Sequence, residues 1–189
     1  LQIYFNPLTY SLSFKNKRPL LQTDKFNGFI IGFNSCRPKS TGHVEIKSNN
    51  INDDPIIDPN YLSNNEDIYD IECAFDFIKN LSQTKAIKEV SFGPINIDPL
   101  NSSSKDLIDH FRNTASSVYH PSCTCRMGNE KTSSVISHRL KVHGLKNLWI
   151  ADASIFPNIP SGNINAPVMM SAFRGSQMIL EDIKKINED

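Results

Sequence analysis

Three short stretches hold most of the side chains in this sequence that could do chemistry. His120-Pro121-Ser122-Cys123-Thr124-Cys125 places an imidazole, hydroxyls and two thiols close together. Ala151-Asp152-Ala153-Ser154 follows a short apolar run, and Ser161-Gly162-Asn163-Ile164-Asn165-Ala166-Pro167 stands where a long helix should start. An imidazole titrates near neutrality, so His120 suits a general base; the plainer reading of a single histidine is a hydrogen-bonded core residue. Zinc is a second chemistry, with His120, Cys123 and Cys125 close in sequence and His138 and His143 further on. A structural zinc site needs four ligands in a tetrahedron, a Cys-x-Cys pair lacks the usual spacing, and no second cysteine pair follows. The two thiols therefore read better as small buried residues, and His138 and His143 as surface or hydrogen-bonded strand histidines. A Ser/His hydrolase built from Ser122 or Ser154 with His120 lacks the G-x-S-x-G elbow.

The elements that must position these residues can be sketched from pattern. Residues 1–24 mix apolar and basic side chains, broken by Pro7 and Pro19, and read as an irregular segment or a short strand. Phe29–Phe33 reads as a buried strand. His43–Lys47 alternates, with Val44 and Ile46 on one face, and reads as a half-buried strand pairing with it. Ser63 and Glu66 have the spacing of a capping box. Ile68, Ile71, Phe75 and Ile78 then make one helical stripe, predicting a helix over 64–81. Residues 91–101, with Gly93, Pro94 and Pro99, form a loop. Ser103 and Asp106 open a second helix with Leu107, Ile108 and Phe111 on its apolar side. Leu140–His143 and Leu148–Ala151 read as short strands turned by Gly144, and 152–165 as irregular. A long helix over 166–187 carries Val168, Ala172, Ile179, Ile183 and Ile186 at helical spacing, with Asn165 as N-cap and Pro167 in the first turn.

The chain has 189 residues, 39% apolar and 21% charged, the composition of a soluble globular protein of one domain or parts of two. Twenty basic and twenty acidic residues balance to a formal net charge of zero, which argues against a nucleic-acid-binding face. No apolar run approaches a membrane span. Four cysteines in a chain this size do not form a disulfide framework, so the expected setting is a reducing cytoplasm or its membrane periphery. The first residue is Leu1 and no signal-peptide pattern follows, which leads us to expect a longer parent protein.

Taken in order, the blocks acquire a sharper meaning. Tyr119 to Gly128 (YHPSCTCRMG), Leu140 to Pro157 (LKVHGLKNLWIADASIFP) and Ile159 to Pro167 (IPSGNINAP) resemble successive blocks of the glucose–methanol–choline (GMC) oxidoreductase family. Arg37-Pro38-Lys39-Ser40 and Ile57-Asp58-Pro59-Asn60-Tyr61-Leu62 also fall in the family's order, and within it the chain looks most similar to the choline-dehydrogenase-like branch.

The resemblance implies an FAD-dependent enzyme that oxidises a small-molecule alcohol to a carbonyl, with hydride passing to flavin N5. His120 would be the base and Asn163 its partner, donating a hydrogen bond to the developing alkoxide. Asp152 and Ala153 match positions lining the FAD, Ile164 and Asn165 positions beside the flavin ring, and the final helix would point its positive end at the flavin. The implied fold class is α/β (α+β). Residues 1–115 would form an antiparallel-sheet substrate domain with helices, and 116–189 the active-site loop, strand and helix returning to a Rossmann-like FAD domain.

Two departures stand out. Ser137-His138 replaces a usual Asp-Pro, and no G-x-G-x-x-G follows a strand, so the adenosine and pyrophosphate cradle would lie in a missing N-terminal FAD-binding segment. A segment without that cradle would be inactive alone. A lyase of the same family, or a non-catalytic zinc module, are the competing readings. Neither the alcohol nor the electron acceptor is specified by these residues.

Overall fold

The computed structural model describes residues 1–15, 18–129 and 133–188, in two compact units. The first contains residues 1–35 and 64–115, the second residues 36–63 and 116–189. The chain therefore leaves the first unit at Cys36 and rejoins it at Asn64, so that 36–63 groups with the later segment. Among the described residues, the strands form three separate two-stranded antiparallel sheets. No helix there is long and apolar enough to cross a membrane.

In the first unit, β1 (Gln2–Asn6) pairs with β4 (Ile30–Asn34), Tyr4 lying opposite Gly32. β2 (Tyr10–Lys15) pairs with β3 (Arg18–Thr23). Helix α1 (Asn65–Ser82) buries Ile71, Ala74 and Phe75, with Ile68 and Ile78 half-buried beside them, as the stripe predicts. Its N-cap is Asn64, whose side chain accepts from the Glu66 N–H at 2.9 Å; Ser63 lies one residue too early for the predicted box. A short helix α2 (Lys85–Val90), capped by Thr84, was not signalled by any apolar periodicity. Helix α3 (Ser104–Thr114) has the reciprocal Ser103–Asp106 capping box and buries Leu107. The core closes on Phe33 of β4, whose ring stacks on Phe111 at 5.1 Å and meets Phe75 edge-on at 5.2 Å.

In the second unit, β5 (His43–Glu45) pairs with β6 (Ile56–Asp58). The expected pairing of the Phe29–Phe33 and His43–Lys47 strands is thus corrected, since β4 and β5 have different partners. β4 is half-buried rather than buried, and β5 is exposed, with Val44 at 52% and Ile46, just beyond the strand, at 90%. The core is Ile136, Leu140 and Ile155, surrounded by Met127, Val142, Trp149, Ile150 and Phe156. The two predicted strands around Gly144 are reduced to isolated bridges, Ile136 with Val142 and Lys141 with Trp149. Gly144 supplies the turn with φ +78°.

Helix α4 (Asn165–Glu188) closes this unit. The Val168 N–H bonds to the Ile164 carbonyl at 2.9 Å, so Ile164 holds the N-cap position and Asn165 is the first helical residue, one earlier than predicted. Pro167 stays in the first turn. Val168, Ala172 and Ile179 lie on the covered side, but the fully buried positions are Gly175 and Asp182, while Ile183 and Ile186 are exposed. A Cβ on Gly175 would stand 2.4 Å from Leu140 Cδ1, inside any real contact distance. Leu140 is itself held at φ +63°, a conformation costing roughly 1–2 kcal/mol for a residue with a Cβ. Its 3% exposure shows where the compensating burial lies.

Leu140→Ala should destabilise by roughly 2–5 kcal/mol in chemical denaturation. Gly175→Ala should also destabilise wild type, yet cost little in the Leu140→Ala background. Additive losses in this double-mutant cycle would show that the two positions do not press on each other.

Candidate functional site

The three sequence blocks all fall in the second unit. The first two are joined through their backbones. The N–H groups of Cys123, Cys125 and Met127 donate to the carbonyls of Ala153, Ser154 and Ile155 at 3.4, 3.0 and 2.8 Å. Alternate residues of the 123–127 segment, which turns at Thr124–Cys125, thus meet successive carbonyls of a 3-10 turn (Ala153–Ile155). Asp152 caps that turn: its carboxylate accepts from the Ser154 N–H at 2.8 Å and from the Ser154 hydroxyl. Ile155, 1% exposed, anchors it in the core.

His120 lies just upstream of this seam and is half-buried. Tyr119 before it and Cys123 after it both have positive φ, +60° and +75°, so the chain bends on either side of the imidazole. Cys123 and Cys125 are half-buried rather than buried, and Ser122 Oγ lies 3.3 Å from Cys123 Sγ. Among the described residues, no three His, Cys, Asp or Glu side chains come together as a group able to hold a metal ion. His143 is tied at Nε2 to the Gly128 carbonyl at 3.1 Å and to Ser134 Oγ at 3.2 Å, and His138 is exposed.

The third block is a loop entering α4. Gly162 takes φ +85°, Asn163 is exposed, and Ile164 is buried at 7%. Asn165 folds its amide towards Met169 Sδ at 3.8 Å. Among the described residues no hydrogen bond joins His120 to Asn163. Arg37, which opens the Arg37-Pro38-Lys39-Ser40 block, donates from Nε to Ser161 Oγ at 3.0 Å.

A charged cluster that sequence reading missed fixes α4. Arg139 Nε and Nη2 donate to Asp182 Oδ1 at 2.9 and 2.6 Å, and Nη2 also reaches Glu181 Oε2 and the Met178 carbonyl. Lys141 stands 4.0 Å from Asp182 Oδ2 and 5.5 Å from the centre of the Trp149 ring. The Arg139 hydrogen bonds hold the Asp182 carboxyl below its ordinary range against the opposing effect of burial, with smaller help from Trp149 and Lys141. The only sequence signal was an aspartate three residues from Ile179 on an otherwise apolar stripe.

Residues 38–172 match the model of a family described as GMC oxidoreductase. The chain is 35% identical over 162 residues to the alcohol dehydrogenase [acceptor] of Pseudomonas putida, covering 86% of this chain and 29% of that protein. It is 35% identical over 144 residues to the mitochondrial choline dehydrogenase of Homo sapiens, covering 76% and 24%. Among solved structures it resembles pyridoxine 4-oxidase from Mesorbium loti (28% identity, TM-score 0.64, 79% of this chain and 28% of that one). It also resembles a formate oxidase from Aspergillus oryzae (25% identity, TM-score 0.77, 87% and 29%). The chain thus spans under a third of the length of each of these proteins.

A carboxyl whose pKa is lowered on folding contributes stability above the unfolded carboxylate range and loses it as pH falls through the folded value. Thermal melts should therefore show a loss of stability below about pH 4. Asp182→Asn should be less stable at neutral pH and show a weaker fall on acidification. An unchanged acid limb in the variant would remove Asp182 from this role.

Proposed function

The chain belongs to the GMC oxidoreductase family, and from that membership we propose that it supplies the proton-handling edge of an FAD-dependent enzyme oxidising a small alcohol to a carbonyl. The observation that carries the reading is the backbone seam laying the segment after His120 along the Asp152-capped turn. Residues 1–115 then belong to the substrate side, and 116–189 carry the active-site loop and return to the FAD domain.

The donors present suit the redox end of FAD. The first N–H groups of an α-helix have no intrahelical acceptor. In α4 these belong to Asn165 and Ala166, both exposed, at the positive end of a 24-residue helix. Pro167 has no N–H to leave unpaired. The Asp152 carboxylate is committed to its own turn, so its contribution, like that of Ala153, is a backbone N–H. Ile164 and Asn165 would lie beside the flavin ring. No residue run here offers a glycine-rich cradle for the pyrophosphate.

When bound, FAD supplies the two-electron acceptor that receives hydride at N5 from the carbinol carbon. His120 takes the hydroxyl proton on an imidazole nitrogen. Asn163 donates an amide N–H to the oxygen as negative charge develops, and, being uncharged, does not compete for the proton. The names of the relatives from Pseudomonas putida and Homo sapiens favour an alcohol as substrate.

The flavin-loaded enzyme should bleach anaerobically with an alcohol. His120→Ala should slow that reduction by about 10²–10⁴-fold, and Asn163→Ala by about 10²–10³-fold. Near-normal flavin reduction in His120→Ala would refute its role as base.

A further inference from the structure

We infer that Arg37 is a positioning residue for Asn163, acting through Ser161. This inference rests on the role proposed above for Asn163. Arg37 and Ser161 lie 124 residues apart in sequence, and the Arg37 Nε–H meets Ser161 Oγ at 3.0 Å. Two residues later stands Asn163. Between them is Gly162 at φ +85°, in the left-handed region that glycine enters without steric cost. A glycine free on both sides is a swivel, and here it is fastened at each end.

Downstream, Ile164 is buried at 7% and its carbonyl receives the first α4 hydrogen bond, from Val168 at 2.9 Å. Upstream, the fastening is the Arg37 hydrogen bond to Ser161. Asn163 is exposed and makes no side-chain hydrogen bond among the described residues, so its amide gets its direction from these two anchors. Donor chemistry matters as well. Nε–H is a single donor held in the guanidinium plane, whereas a lysine ammonium on a flexible stem carries the same charge without that direction. Releasing the upstream anchor lets the backbone at Gly162 rotate, and misplacement of a reacting group by about 1 Å can cost about a hundredfold in rate.

The test compares Arg37→Met, Ser161→Ala, their double variant, Arg37→Lys and Asn163→Ala in the flavin-loaded enzyme. Stopped-flow flavin reduction at saturating alcohol should fall about ten- to hundredfold in each of the first two. The double variant should be no slower than the worse single variant. KM and the pH midpoint of reduction should stay near wild type, because neither the base nor substrate binding is touched. Backbone hydrogen exchange across 162–165 should rise in both single variants, a readout independent of turnover. Arg37→Lys should behave like Arg37→Met.

Additive losses, or recovery with lysine, would overturn the proposal by showing that the charge acts on its own and not through Ser161. If Asn163→Ala is impaired while Arg37→Met and Ser161→Ala are not, the positioning role falls and the function stands. If Asn163→Ala reduces its flavin normally, the assignment of Asn163 falls and takes the positioning role with it.

Discussion

Helix α4 lies against the 136–150 turns only because position 175 has no side chain. The Leu140 methyl occupies the space a Cβ would need, and the same leucine fills the core between Ile136 and Ile155. That contact sets how close the helix comes. Arg139 and Asp182 then set its rotation and register two turns further on, because a buried carboxylate must stay on its guanidinium partner. With axis and rotation fixed, the first turn of α4 has little freedom. The place of Asn163, Ile164 and the free N–H groups of Asn165 and Ala166 follows from a steric contact at the middle of the helix.

The first unit shows the same economy with different means. Phe33 projects from a two-stranded sheet that would be marginal alone, and the rings of Phe75 and Phe111 hold it to two helices. Ser35 and Asp70, and Ser104 and Glu72, add hydrogen bonds at the same junctions. The β1–β4 sheet is thus held by the helices it packs against, consistent with the modest length of its strands.

Much of this was legible in the sequence where a local rule was strong. The stripe of α1, the Ser103–Asp106 box and the turn at Gly144 need only near neighbours, and they appear as predicted. The three sequence blocks stand out because their residue types are unusual in that order. Strand partners were not legible: nothing local in Phe29–Phe33 or His43–Lys47 says that the first pairs with Gln2–Asn6 and the second with Ile56–Asp58. The face of α4 was misread at its end for a related reason. Ile183 and Ile186 continue the apolar period, but Arg139 draws Asp182 inward and the helix presents that side. Beside the aspartate itself, Gly175 carries a clue to that face, since a glycine inside a helix often marks a close approach.

The seam between 123–127 and 153–155 has a consequence for how such a site can diversify. Every tie in it is made by main-chain atoms. The thiols of Cys123 and Cys125 take no part in these ties, whereas the Met127 side chain also packs against the Ile136, Leu140 and Ile155 core. Exchanging the two thiols leaves the main-chain frame that follows His120 in place. Proline, which would delete one of the donors, is the clear exception, and position 123 is further limited by its left-handed backbone. Side chains along such a main-chain frame can be exchanged while its geometry stays put.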